Sequence, residues 1–176
     1  MLARVILIVC WSVAPAWADE PPAVITGKVI RVDDGQHFVL VDDQKMERRV
    51  RLYGIAAPVH GQPYHAKSRE NLSRLVHGKD VQVEFVRVGR QGRLLGKLKL
   101  NGENINLRQV TDGFAWRDPR HDKDKNEELT DAEKTARKKM RGLWADRSPQ
   151  PPWEFRREQR QKNKGAGKKE KPAANE

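Results

Sequence analysis

The chain has one cysteine, few aromatic residues, too little acid to balance its base, and no apolar run long enough to cross a membrane. Cys10 is the single cysteine among 176 residues, so no disulfide can form within the chain. Aromatic residues make up 6% of the chain, which leaves few surfaces on which bases could stack. The apolar stretch from Val5 to Val13 (VILIVCWSV) is far short of the roughly 20 residues a spanning helix needs. Acid is outnumbered, 24 residues against 35 basic ones, for a formal net charge of +11. Such a surplus favours nucleic acid, anionic lipid or another polyanion as partner, and it says nothing about fold.

The N-terminus reads as a secretory signal over residues 1–18. Arg4 supplies the charged start, Val5 to Val13 the apolar centre, and Ala16-Trp17-Ala18 the small-x-small pattern, which places the cut after Ala18. Cys10 would leave with it, and Val9 before that cysteine argues against a lipoprotein anchor. The remaining chain would carry 34 basic and 24 acidic residues, a net of +10, with no thiol and no transmembrane segment. Its expected place is the periplasm or outside the cell.

What is present is a set of short alternating segments. Val24 to Val32 has strand composition, with Gly27 as a candidate bulge. Asp33-Asp34-Gly35 signals a hairpin turn, His37 to Val41 continues as a strand, and Asp42-Asp43-Gln44 turns again before Met46 to Tyr53. The period then changes. Ala66, Leu72, Leu75 and Val76 share a helical face, and His77-Gly78 ends it. Asp80 to Val88 and Arg93 to Leu100 are expected as the fourth and fifth strands. Asn104 to Asp112 is expected as a short helix, and Leu129, Ala132, Ala136 and Met140 as the stripe of a third. Residues 24–148 thus form one domain. Residues 149–176 shift character: Pro151-Pro152-Trp153 is rigid and aromatic, and Arg156 to Glu176 holds eight basic and three acidic residues with little to bury. That composition predicts a disordered basic tail. Five strands with a helix between the third and fourth give an α+β fold, mainly β: a five-stranded OB-type barrel with three helices.

The stretch around which these elements are arranged is Arg51-Leu52-Tyr53-Gly54-Ile55-Ala56-Ala57-Pro58-Val59. With Asp34-Gly35, Gly61-Gln62-Pro63-Tyr64, Gly92-Arg93-Leu94-Leu95-Gly96 and Arg141-Gly142-Leu143-Trp144, it resembles the staphylococcal nuclease (thermonuclease) family over about Ile25 to Trp144. The trailing Pro151-Pro152-Trp153-Glu154-Phe155-Arg156 is similar to the end of many secreted bacterial members. The resemblance implies calcium-dependent hydrolysis of phosphodiesters in DNA and RNA. In that chemistry carboxylates hold a hard cation, another carboxylate activates water, and two arginines take the charge developing on the phosphate.

The arginines carry over as Arg51 and Arg93, and the carboxylates do not. Gln36 and Ala56 stand where the family has metal carboxylates, and Val59 where it has the water-activating glutamate. A general base contributes about 10²–10⁴ in rate, and metal polarisation several kcal/mol more. Their loss predicts a phosphate-sized cationic cleft with little hydrolysis, no resident cofactor, and calcium only if the site works as a nuclease.

Three readings follow. In the first, a nuclease-fold protein binds nucleic acid or another polyanion through Arg51, Arg93 and the basic tail from Arg156 to Glu176, with Tyr53 and Tyr64 as candidate stacking residues. In the second, a metal-dependent nuclease has rebuilt its site from Asp33, Asp34, His37, His60 or His65. In the third, Trp116, Trp144, Trp153 and Phe155 form an apolar patch of a protein-interaction module.

Overall fold

The computed structural model describes residues 23–120 and 126–169. The expected signal peptide lies outside the described residues. Eight strands and four α-helices follow in this order: β1 (Val24–Val32), β2 (His37–Asp42), β3 (Glu47–Leu52), β4 (Ile55–Ala56), α1 (His65–Val76), β5 (Asp80–Val88), β6 (Leu94–Leu100), β7 (Glu103–Asn104), α2 (Ile105–Thr111), β8 (Trp116–Arg117), α3 (Glu127–Lys138) and α4 (Pro152–Lys169).

The five long strands are β1, β2, β3, β5 and β6. They pair in the order β3-β2-β1-β5-β6, and a parallel pairing of β3 with β6 closes the sheet into a barrel. That closing seam sets Val50 against Leu94, Arg51 against Leu95 and Leu52 against Gly96. Alternation drives the closure. Val50 and Leu52 are buried while Arg49 and Arg51 reach outward, as the two-residue period of a half-buried strand requires. Val29, Phe38, Leu40, Leu72, Val83 and Leu98 fill the interior with almost no exposure. Gly96 sits at the seam because a Cβ there would lie 2.4 Å from Val83 and 2.7 Å from the Glu84 carbonyl.

Buried amides fasten the helices to the barrel. Asn106 accepts from Leu98 N–H at 2.9 Å and donates to the Tyr53 carbonyl at 2.8 Å. Gln109 donates to the carbonyls of Gly35 and Ser68, and accepts from Asn71 at 2.6 Å. Each satisfied amide avoids the ~1–3 kcal/mol cost of a stranded buried polar group. A second small core joins Trp116, Ala136, Leu143 and Trp144, with Tyr64 and Trp153 packed against it. The Trp116 and Trp144 rings meet edge to face, with centroids 5.8 Å apart.

Several expectations need correction. The bulge in β1 falls between Val29 and Arg31, not at Gly27. Gly27 is instead a close approach, where a Cβ would meet the Val41 carbonyl at 2.3 Å. On α1, Ala66 is exposed, and the buried face is completed by Ser68 and Asn71, which are polar and so invisible to a hydrophobic pattern. Met140 lies beyond α3 with positive φ and 70% exposure. Among the described residues there are four α-helices where three were expected. The extra one is α4, which occupies Pro152–Lys169, part of the stretch expected to be disordered. Pro152 suits the first turn of a helix, where its missing N–H costs nothing. Glu154 in that turn complements the helix dipole. Trp153 gives the helix an apolar anchor on the second core.

Candidate phosphate-binding cleft

The barrel seam builds the site. His37 pairs with Arg51 across β2 and β3, and Arg51 pairs with Leu95 across β3 and β6. Arg93 precedes β6 directly, after the tight turn Arg90–Gly92. These residues open into a cleft of about 530 Å³. Its walls include Arg51, Arg93, His37 and Gln36 together with Arg87, Arg90, Arg120, Arg156 and Arg160. The two arginines singled out from the sequence therefore share one cleft.

Behind that wall lies Asp118, with no exposure. The short pairing of β4 with β8 sets Ala56 against Trp116 and Ile55 against Arg117, and the Asp118 N–H donates to the Gly54 carbonyl at 2.8 Å. This brings its carboxylate under the cleft. Arg120 grips it bidentately, at 2.9 and 3.0 Å, and Arg51 Nη2 lies 3.6 Å away. The Arg51 Nε is buried with no hydrogen-bond partner among the described residues. Burial, first, and then the charges of Arg156 and Arg120 hold the Arg51 guanidinium below its ordinary pKa, against the pull of Asp118. Arg156 is lowered in the same way, by burial and then by Arg120.

The calcium expected of the family does not fit these residues. Gln36 is 3% exposed, and its amide oxygen already accepts from the Ala57 N–H at 3.1 Å. It ties the loop after β3 to the turn before β2 and is spent as a cation donor. Ala56 is buried in β4 and offers only a methyl group. Val59 is partly exposed, with its N–H donated to Gln62. Among the described residues, no group of three or more His, Cys, Asp or Glu side chains could hold a metal ion. A hard dication wants six or more oxygen ligands, carboxylates among them.

The remaining candidates divide. Asp34 is a turn cap: its carboxylate accepts from the N–H groups of Gln36 and His37 at 2.8 and 2.9 Å, and meets His37 Nδ1 at 2.8 Å. Burial pushes its pKa up, but His37 and the two N–H groups together bring it below the usual range. Asp33 pairs with Arg31 at 2.7 Å in a neighbouring recess of about 330 Å³. His60 and His65 meet edge to face at 5.7 Å and are not among the residues lining the arginine cleft. Tyr53 lines a separate recess with Lys97, Asn104 and Asn106. Tyr64 packs on the second core, with Lys67 over its ring at 5.3 Å. Trp116, Trp144 and Trp153 are likewise occupied by that core, while Phe155 faces Gly61.

Sequence reading left Arg120 and Asp118 unmarked, and it counted Arg156 and Arg160 only as part of a basic tail, not as a helix face lining this cleft. A signal for two of them was present: Trp153, Arg156 and Arg160 stand at i, i+3 and i+7, one face of a helix. Nothing local marked Asp118 as buried.

The family model for staphylococcal nuclease homologues matches residues 49–146, more than half of the chain. The micrococcal nuclease of Shigella flexneri is 38% identical over 165 residues, covering 88% of this chain and 89% of that protein. Protein ParB of Escherichia coli is 35% identical over 166 residues, covering 89% and 90%. An uncharacterized endonuclease of Escherichia coli is 38% identical over 135 residues, covering 76% and 86%.

Proposed function

The chain belongs to the staphylococcal nuclease family, and from that premise we propose that it binds nucleic acid or another phosphate-rich polyanion with little or no calcium-dependent hydrolysis. One observation carries the reading. Arg51 and Arg93 line a common cleft with Gln36, which stands at one would-be metal position, while Ala56 and Val59 at the other metal and base positions carry no carboxylate. Guanidinium forks match phosphate oxygens bidentately without metal help. The family's remaining rate would come from charge stabilisation alone, without the base and the cation that supply most of it.

The test is fluorescence anisotropy of a labelled oligonucleotide with the purified protein and with Arg51→Gln/Arg93→Gln. Binding should weaken steeply with salt, because phosphate contacts release counterions. It should fall at least tenfold in the double variant, as lost charge-assisted contacts require. Binding that is indifferent to both arginines would remove the cleft from the account.

Residual hydrolysis is a second reading, favoured by the contact between Asp34 and His37 and by the nuclease relatives. With Nδ1 held as donor to Asp34, His37 Nε2 would be an acceptor at the cleft wall, available to a water. Loss of any cleavage in His37→Gln, with oligonucleotide binding kept, would establish it. Cleavage unchanged by that substitution would dismiss it.

Arg4, the apolar stretch after it and Ala16-Trp17-Ala18 support secretion, with the mature chain starting at Asp19. N-terminal sequencing of the protein recovered outside the cytoplasm decides this. A sequence beginning at Met1 would contradict it.

A further inference from the structure

We propose that α4 builds a second phosphate subsite, formed by Arg156 and Arg160 with Arg120, so that the cleft takes successive phosphodiesters of one nucleic-acid strand. This rests on the polyanion-binding reading above and extends it to residues outside the barrel.

The first argument is placement. Trp153 packs on the second core, and the Arg120 guanidinium covers its ring at 4.8 Å. At the loop side, Gln62 donates to the Gln150 carbonyl at 2.5 Å, just before the helix begins. These contacts seat α4 against the barrel. Arg156 and Arg160 follow Trp153 on the same helix face and line the cleft. The acid of that stretch, Glu158, is engaged by Gln150 and does not line it.

The second argument is charge. Among the described residues, seven arginines line the cleft and no carboxylate does. Asp118 is the acid that touches this cluster from behind, and it is committed to Arg120 and Arg51. One phosphate carries at most two charges and is satisfied by about two bidentate guanidiniums. Arg51 and Arg93 are enough for that. Of the five further arginines, Arg120 is paired with Asp118 and offers only its remaining N–H groups, while Arg87, Arg90, Arg156 and Arg160 have charge to spend on neighbouring phosphates. Arg156 is partly buried, and burial first, then the charge of Arg120, holds its pKa below the ordinary value; an incoming anion would offset both.

The experiment compares an eight-residue oligothymidylate with thymidine 5′-monophosphate, using the parent, Arg156→Gln/Arg160→Gln, Arg156→Lys/Arg160→Lys and Arg51→Gln. In the glutamine variant, octamer affinity should fall at least tenfold. The slope of log affinity against log salt should drop by about 1.4, for two single-strand phosphates lost. Affinity for the mononucleotide, read by competition, should stay as in the parent. The lysine variant, which keeps charge on the helix, should restore the slope and guards against a helix that simply fails to dock. If the octamer binds the glutamine variant like the parent while Arg51→Gln abolishes binding, the second subsite falls and the barrel cleft stands. If the mononucleotide weakens as much as the octamer, the α4 arginines belong to the first subsite and the proposal fails. A parent that binds no octamer overturns both.

Discussion

Replacing Asp118 by asparagine should destabilise the fold by about 2–3 kcal/mol. The carboxylate is fully buried and, among the described residues, is gripped bidentately by Arg120 with Arg51 at 3.6 Å. Asparagine keeps the volume and one acceptor oxygen, so no cavity contributes. What changes is charge: two guanidiniums, already crowded by Arg156, lose the anion beneath them. Breaking a buried pair by removing one partner costs about 3–5 kcal/mol. Arg51 retains 21% and Arg120 46% side-chain exposure, so water takes up part of the loss and the lower figure applies. For a chain of this size that is a fall in melting temperature of about 4–12 °C. Differential scanning calorimetry at pH 7 reads it directly. Added phosphate should recover more of the loss in the variant than it adds to the parent, because the freed guanidiniums need an anion. A fall under about 2 °C, or a phosphate response equal in both proteins, would refute the reasoning.

Other outcomes follow from single contacts. Asp34 has a folded pKa below its unfolded value near 3.9, so its contribution to stability is complete above about pH 4 and is lost as pH falls through the folded value. The urea midpoint of Asp34→Asn should therefore trail the parent by a constant amount from pH 7 to about 5 and by less as the pH falls below the unfolded value; a deficit that grows in acid would contradict the assignment. Gly113→Ala should cost about 2 kcal/mol or more, since φ is +78° and a Cβ would lie 2.1 Å from the Arg141 carbonyl; a melting temperature within 1 °C of the parent would show that the Gly113–Arg141 contact yields. Calcium at about 10 mM should move the melting temperature by less than 1 °C, because a site with a dissociation constant near 1 mM would already add about 1.4 kcal/mol. A shift of 3 °C or more would reveal a metal site that the donor set does not contain.

The barrel was legible in the sequence because its strands are half-buried. Val24–Val32 and Asp80–Val88 were bounded correctly by alternation between turn residues. Arg51 and Arg93 were legible as a pair because the motif around each resembles a known family, and the β3–β6 seam explains why they meet. The rest of the cleft was not. Arg120 comes from a segment that no pattern marked, and Arg156 and Arg160 from a stretch read as a disordered tail, where base-rich composition outweighed a single anchoring tryptophan. Asp118 reads as an ordinary surface acid, since its burial is created by the β4–β8 pairing, which is two residues long. Ser68, Asn71 and Gln109 were missed as core for the same reason: a buried amide or hydroxyl looks like surface until its partner is placed.

Hydrolysis of a fluorescently quenched oligonucleotide tests the central claim most directly. It should be run with calcium, with other divalent metals and with chelator, beside an Arg51→Ala/Arg93→Ala control that exposes contaminating nuclease. The account expects the same binding in every condition and no calcium-stimulated cleavage above the control. Robust metal-dependent cleavage that disappears in the control and with chelator would mean that this cleft holds a working metal centre, and that the loss of the carboxylates at Gln36, Ala56 and Val59 has been misread.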